Sequence, residues 1–495
     1  MFQPQITQLK WLILFSASLG IAYGLYTLLN QQHLDQLTLN HSFSKLWRFW
    51  GASLALWIGL SFLVRKLKKQ HRPTGLIQKQ NDSFYTVASL ILASSLVIKI
   101  ALALSPQPRL STDIWRYLHD GANTCQGINP YDAPPDRIDL KTLSRPRQET
   151  VKRINHPHLA TIYLPTSQWV FAALWQAKPS ADLWGDHTFR IGFSLFDTLT
   201  LCFLLLLLKR IGKNPWWAAI YALHPLALTE VAASGHQDAI GVCFFVMAIY
   251  FGSFSPIKTW HALIAGTCLA LSIWVKPIAG FLIIPLIACH WGQIKTITAA
   301  LLGGILTTAA LWLPLLLLKG STQGLFITAK AFTGKWAFNG PIHYAINTFI
   351  IPSQDKWLTS AIASLAIFFI TWRYLKHQPP HQHKAQTLVG ASVSFMLASL
   401  LLTSTCHPWY LIWLIALLPI SFNAPSWLWS LTIAWSYAFY QLQTQQCITA
   451  ILGVTALEFL PVYSLILWCW IKHNRKTIPQ LPSSKTRNAY EPPMP

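Results

Sequence analysis

Long runs of uncharged apolar residues constrain this chain more than any motif does. Residues 11–29, 84–104, 191–208 and 260–275 hold almost no ionisable side chain. A helix crossing a bilayer needs roughly 17–25 such residues. By that rule the sequence offers about fourteen candidate spans, roughly three or four of them short enough to re-enter. Only 11% of residues are charged, against about 25% in soluble domains. Backbone amides must be satisfied inside the lipid, and runs this long do so as helices. The sequence therefore predicts an all-α polytopic integral membrane protein of about 12 to 14 transmembrane helices. One multispanning domain covers residues 1–478, and the polar, proline-containing tail 479–495 is expected to be disordered. The run at 11–29 has no small-residue cleavage site of the kind that ends a signal peptide.

The net charge of +22 does not point to nucleic acid. The basic residues cluster between spans: in 65–79, at Lys209, Arg210 and Lys213, at Arg373, Lys376 and Lys384, and in the tail from Lys472. Short cytoplasmic loops collect Lys and Arg. Counting spans from a cytoplasmic N-terminus puts all four clusters and the C-terminus on the cytoplasmic side of a multi-pass protein. The loop 319–356, with Lys319, Lys330, Lys335 and Lys356, falls outside. Long loops obey the rule poorly.

The largest stretch outside the spans, 105–187, is extracytoplasmic in this count and should carry short helices. It opens with STDIWRYLHDGANTCQGINPYD. Read as a helix, it places Asp113 and Asp120 seven residues apart on one face, with Arg116 and Tyr117 beside them. Ser111 or Thr112 would cap its start, and Gly121, Gly127 and Asn129-Pro130 would end it. An Asp120–Arg116 ion pair on a solvated helix is the plain explanation. Other outer segments argue against it. PLALTEVAASGHQDA supplies Glu230, His236 and Asp238, WVKP supplies Lys276, and TCHPWY supplies His407. Ionisable groups beside hydrocarbon mark functional sites by default. Here seven converge on one face. Carboxylates with Lys, His and Arg suit an anionic lipid-linked donor: cations hold its phosphate and a carboxylate takes a hydroxyl proton. Asp113, Asp120 and Glu230 offer the hard oxygens a divalent metal would take, though nothing in the sequence requires one.

TDIWRYLHDG, GINPYD and NHPHLATIYLPTSQ, followed by HPLALTEVAASGHQDA, WVKP and HPWYLIW, resemble the polyprenol-phosphate-mannose-dependent α-mannosyltransferases of the GT-C superfamily. The likeness is to the bacterial branch, with a looser similarity to the first GPI mannosyltransferase of eukaryotes. It covers residues 85–415 in the same order. It implies a GT-C-like membrane enzyme with its site on the outer loops. Mannose would move from polyprenyl phosphate to a glycan or lipid-linked acceptor, turning a β-linked donor into an α-product. The family's first-loop acid maps onto Asp113 as base, with Asp120 as a second acid. Arg116, Lys276, His236 and His407 are the candidates for donor phosphate. Tyr117, Asn129, Tyr131, Tyr163, Glu230 and Asp238 complete the expected substrate-binding set. The chain departs from the branch at Ser111-Thr112-Asp113, where two adjacent acids are common, at His119 in place of Trp, and at Leu164 in place of Pro.

Two other classes compete. A transporter or flippase would line a path with the same charges, but it expects broken helices in two similar halves, and the sequence has no such repeat. A haem oxidoreductase would need paired intramembrane histidines, for which only His224 and His407 stand even loosely.

Overall fold

The computed structural model describes residues 54–55, 57–67, 77–105, 110–350, 356–376, 383–438 and 448–477. The expected first span at 11–29 and the expected disordered tail at 479–495 lie outside them. Within the described residues the chain is helical throughout, with one isolated backbone bridge between Phe338 and Thr405. The elements that matter for the site are, in chain order, α1 (Ile77–Leu104), α2 (Asp113–Cys125), α3 (Arg145–Lys152), α4 (Pro165–Ala177) and α5 (Asp186–Arg210). After these come α6 (Asp238–Gly252), α7 (Thr259–Ile273), α8 (Ile294–Leu316), α9 (Gln323–Lys335), α10 (Lys384–Leu402) and α11 (Ile448–Thr477).

Among the described residues, five helices are long and apolar enough to cross a bilayer: Ser83–Leu104, Asp186–Arg210, Ile294–Leu316, Lys384–Leu402 and Ile451–Lys472. Asp238–Gly252, Thr259–Ile273 and Pro277–Cys289 are shorter apolar helices. The protein is thus an all-helical, multi-pass membrane protein. Several apolar runs that look continuous in the sequence are broken by proline. Pro225, Pro277 and Pro408 each begin a new helical segment, because proline cannot donate to the preceding turn. Each break falls directly after a His or Lys that the sequence singles out: His224, Lys276 and His407.

Small residues set the closest helix contact. A Cβ on Gly266 of α7 would lie 1.8 Å from the Ala300 carbonyl oxygen, and one on Gly303 of α8 would lie 2.2 Å from that of Leu263. Backbones approach this closely only where side chains are absent. Several charged groups inside the bundle are paired. Lys99 on α1 and Asp197 on α5 form an ion pair at 2.5 Å, both 1% exposed, and the Tyr221 hydroxyl also donates to Asp197. Arg190 on α5, fully buried, donates to the carbonyls of Ser105 (2.6 Å), Leu102 and Ala232 (3.2 Å). These contacts tie the end of the first described span to the broken segment 225–236, and so fix the frame beneath the outer loops.

Candidate active site

The helix expected after Ser111 is present as α2, but it begins and ends differently. The Ser111 Oγ accepts from the Asp113 backbone N–H at 3.2 Å, so Ser111 rather than Thr112 supplies the cap. Gly121 does not end the helix. It lies inside α2, where a Cβ would come within 2.6 Å of the Phe171 carbonyl oxygen. The missing side chain lets α4 pack against α2. The helix runs on to Cys125, and Gly127, with φ of 71°, makes the turn that leaves it. The expected Asp120–Arg116 pair is absent. Arg116 is turned away and donates to the carbonyls of Leu159 (3.0 Å) and His156 (3.1 Å).

The two acids of α2 therefore have separate surroundings. Asp113 is half-buried in the first turn. Its Oδ1 accepts from the Asn155 amide at 2.9 Å, and its Oδ2 takes no hydrogen bond from the described residues. Asp120 is 1% exposed, and its Oδ2 accepts from Gln168 of α4 at 3.2 Å. Burial raises its pKa to about 6, against the opposing pull of Arg116, Thr161 and Gln168. His119 between them is pushed down to about 3 by burial and by Arg147 and Arg116. It is neutral and bonds Asn123 at 3.0 Å.

Around Asp113 the expected residues gather. Tyr117 packs edge-on against Tyr163 at 4.8 Å and flat on Phe171 at 4.8 Å. Both phenols are pushed well above their ordinary pKa, first by burial; Asp113 adds to the rise at each. Glu230 sits in a single π-helical turn, Leu228–Ala233, a distortion common at functional sites. Its Oε2 lies 3.1 Å from His236 Nε2, without the alignment of a hydrogen bond. Asp113 and Asp238 both act electrostatically on Glu230. Lys276 donates to Asp238 at 2.6 Å, and its ammonium lies 3.5 Å over the Tyr410 ring. The Trp413 indole N–H donates to the same Asp238 oxygen at 2.8 Å. Lys276 is thus a held cation rather than one reaching for the interface.

An aromatic stack closes the cluster. The Trp409 ring lies between those of His236 (3.9 Å) and His407 (4.5 Å), and Phe338 stacks on the far side of His407 (4.7 Å). Burial, then Lys276 and His236, push His407 down to about 3, so its imidazole is neutral.

Two expected binding residues lie elsewhere. The Asn129 side chain accepts from the Tyr131 backbone N–H at 3.0 Å and so forms a local turn. Tyr131 is fully buried on Trp312, and its hydroxyl donates to the Tyr163 carbonyl at 3.0 Å. Both lock the loop rather than face the cluster. Asp113, Asp120 and Glu230 do not form a metal ligand set. No three His, Cys, Asp or Glu side chains gather closely enough among the described residues.

Sequence reasoning missed Asn155, Trp409, Tyr410 and Trp413, although NHP and HPWY lie within the segments it marked. It also missed Glu458 of α11. This buried acid accepts from Asn339 at 3.0 and 3.1 Å and from Trp429 at 2.9 Å. A lone acid inside the last apolar run was the available signal.

Beside the cluster, α7 and α8 enclose an apolar groove of about 680 Å³. Trp274 and Trp312 line one end and His290 the other. The Trp274 indole donates to Thr308 at 2.9 Å, and Trp274 stands two residues before Lys276.

Comparison with known proteins bears on what this cluster serves. A solved structure of ArnT from Cupriavidus metallidurans bound to undecaprenyl phosphate is 13% identical, with a TM-score of 0.44 over 78% of this chain and 76% of that one. Comparison with curated proteins gives no match. Residues 12–293 match the family model MptA_B, described as alpha-(1->6)-mannopyranosyltransferase, N-terminal domain. That match spans more than half of the chain and contains Asp113, Glu230, His236, Asp238 and Lys276; the chain is a glycosyltransferase of the MptA_B mannosyltransferase family.

Proposed function

We propose that the protein moves mannose from a polyprenyl-phosphate donor to a hydroxyl of a glycan or lipid-linked acceptor, at the outer face of the membrane and with inversion. The observation that carries this reading is the state of Asp113. One carboxylate oxygen is fixed by Asn155, and the other takes no hydrogen bond from the described residues. It faces a cluster that gathers a cation, paired acids and stacked imidazoles. In the proposed step the acceptor hydroxyl gives its proton to Asp113 Oδ2 as its oxygen bonds the anomeric carbon. The bond from that carbon to the phosphate oxygen breaks, and the electron pair leaves with polyprenyl phosphate. Attack from the opposite face converts β to α. Lys276, anchored by Asp238, meets the growing phosphate charge. The neutral His407 offers hydrogen bonds rather than charge, and His236 lies beside it in the aromatic stack. The groove between α7 and α8 takes the first isoprenes of the donor, since its tryptophan end adjoins Lys276. Arg116, Tyr117 and Asp120 act as positioning residues through the loop 155–163.

The test is transfer by the purified protein in detergent from labelled polyprenyl-phosphate-mannose. Turnover that is lost in Asp113→Asn, with folding retained, is the expected result. Normal turnover in that variant removes the base assignment. A wild type that binds the donor but neither transfers nor hydrolyses it returns the transporter reading.

A further inference from the structure

Two non-glycine residues among those described adopt left-handed backbone: His156, with φ of 50°, and Asn339, with φ of 57°. They are far apart in sequence but flank one side chain, Trp336. The His156 ring meets the Trp336 ring edge-on with centroids 4.3 Å apart. Three residues after Trp336, Asn339 is pinned to both oxygens of the buried Glu458. Between them Phe338 pairs its backbone with Ser404 and Cys406, each bond 2.9 Å. The 336–339 segment thus bridges the Asp113 side of the cluster to the His407 side.

Both strained points are held from outside. Arg116 grips the His156 carbonyl, and the neighbouring Asn155 holds Asp113. Strain that surrounding contacts maintain concentrates at functional sites. A turn alone does not account for it, because glycine or asparagine would take this backbone at less cost. Histidine adds a ring that is exposed to solvent and takes no hydrogen bond among the described residues. Burial, His158 and Arg116 lower its pKa, outweighing Asp113. A neutral imidazole suits a hydroxyl better than a phosphate.

We propose that His156, with Trp336 as its wall, is the contact for the acceptor sugar: its imidazole bonds a hydroxyl of the accepting pyranose beside the one that gives its proton to Asp113. This rests on the glycosyl-transfer reading above. The donor enters along the groove at Trp274, on the Lys276 side. His156, Pro157 and His158 are exposed, so an acceptor sugar can reach the ring from solvent. Aromatic rings present apolar faces to sugar C–H groups, and the His156 ring takes no hydrogen bond from Trp336.

The test uses His156→Gly in the full chain. Glycine keeps the left-handed turn and removes only the ring. With polyprenyl-phosphate-mannose as donor and α-1,6-mannobiose as acceptor, the variant should raise the mannobiose KM at least tenfold. The donor KM and donor hydrolysis should stay within twofold. His156→Asn should recover part of the loss. Titration calorimetry of mannobiose without donor should show the same loss of affinity. Unchanged mannobiose KM and affinity in His156→Gly overturn the inference while leaving the transfer reading intact. Loss of donor hydrolysis in that variant overturns it as well. A wild type that fails to use this donor but binds mannobiose, with binding lost in His156→Gly, keeps the acceptor site and removes the donor reading.

Discussion

The two ends of α2 carry the same side chain in opposite circumstances. Asp113 is half-buried, with one oxygen held and the other open. Asp120, two turns along, is sealed under α4 with its carboxylate on Gln168. The difference comes from the neighbours and not from the helix. Gly121 lets α4 close over the Asp120 end, whereas the Asp113 end meets the loop at Asn155 and lies near Glu230 of the broken segment. The same residue type thus keeps one carboxylate oxygen open at one end and is packed and hydrogen-bonded at the other.

Exchanging the acids for amides sharpens this contrast most. Asp113→Asn should lower turnover by about a thousandfold or more, the upper part of the range for losing a general base, with the detergent melting point unchanged. Asp120→Asn should keep activity within about tenfold, because an amide oxygen still accepts from Gln168. Equal losses in the two variants would break the contrast and make Asp120 part of the reacting set.

The next effect is on donor use. Lys276→Ala should raise the donor KM by about tenfold or more, in line with losing a charge-assisted contact, and leave the acceptor KM alone. It also strips Asp238 of its partner. Lys276→Ala with Asp238→Asn should therefore restore the melting point without restoring donor affinity. Recovery of both would make Lys276 a purely structural cation.

Much of this was legible in the sequence. Long uncharged runs required a helical membrane protein, and short segments holding a few ionisable residues each pointed to a single cluster. Glu230, His236, Asp238, Lys276 and His407 do gather, as ionisable residues close to apolar runs suggested. Residues 321–328, from the loop that is awkward for the charge rule, lie beside residues 132–160. Ser321 N–H donates to Asp132 at 2.6 Å and Thr328 to the Ala160 carbonyl at 3.0 Å. What could not be read was pairing. Helical spacing put Arg116 next to Asp120, but spacing cannot see the free carbonyls of His156 and Leu159, which claim the guanidinium. Asn129 and Tyr131 read as binding residues from their motif, and what the motif could not show is that their side chains bond the loop's own backbone. Lys99, Asp197, Arg190 and Glu458 were visible as lone charges in apolar runs, yet their partners are distant in sequence.

The smallest expected effect concerns Asp120 and pH. Its pKa is about 6 in the folded protein, above the ordinary aspartate value of 3.8. The folded state therefore holds a proton that the unfolded state has released between those two values. Stability should fall as pH rises through that window and level off above it. The full difference is about 3 kcal/mol at most. Asp120→Asn cannot ionise, so its melting point should stay flat from pH 4 to 6.5 while that of the wild type declines. The curves should part on the alkaline side, with the variant the more stable. Parallel curves would mean that Asp120 keeps its charge when buried, and that Arg116, although bonded to carbonyls, still stabilises it across the helix. The distinction between the two ends of α2 would then be one of access alone and not of charge.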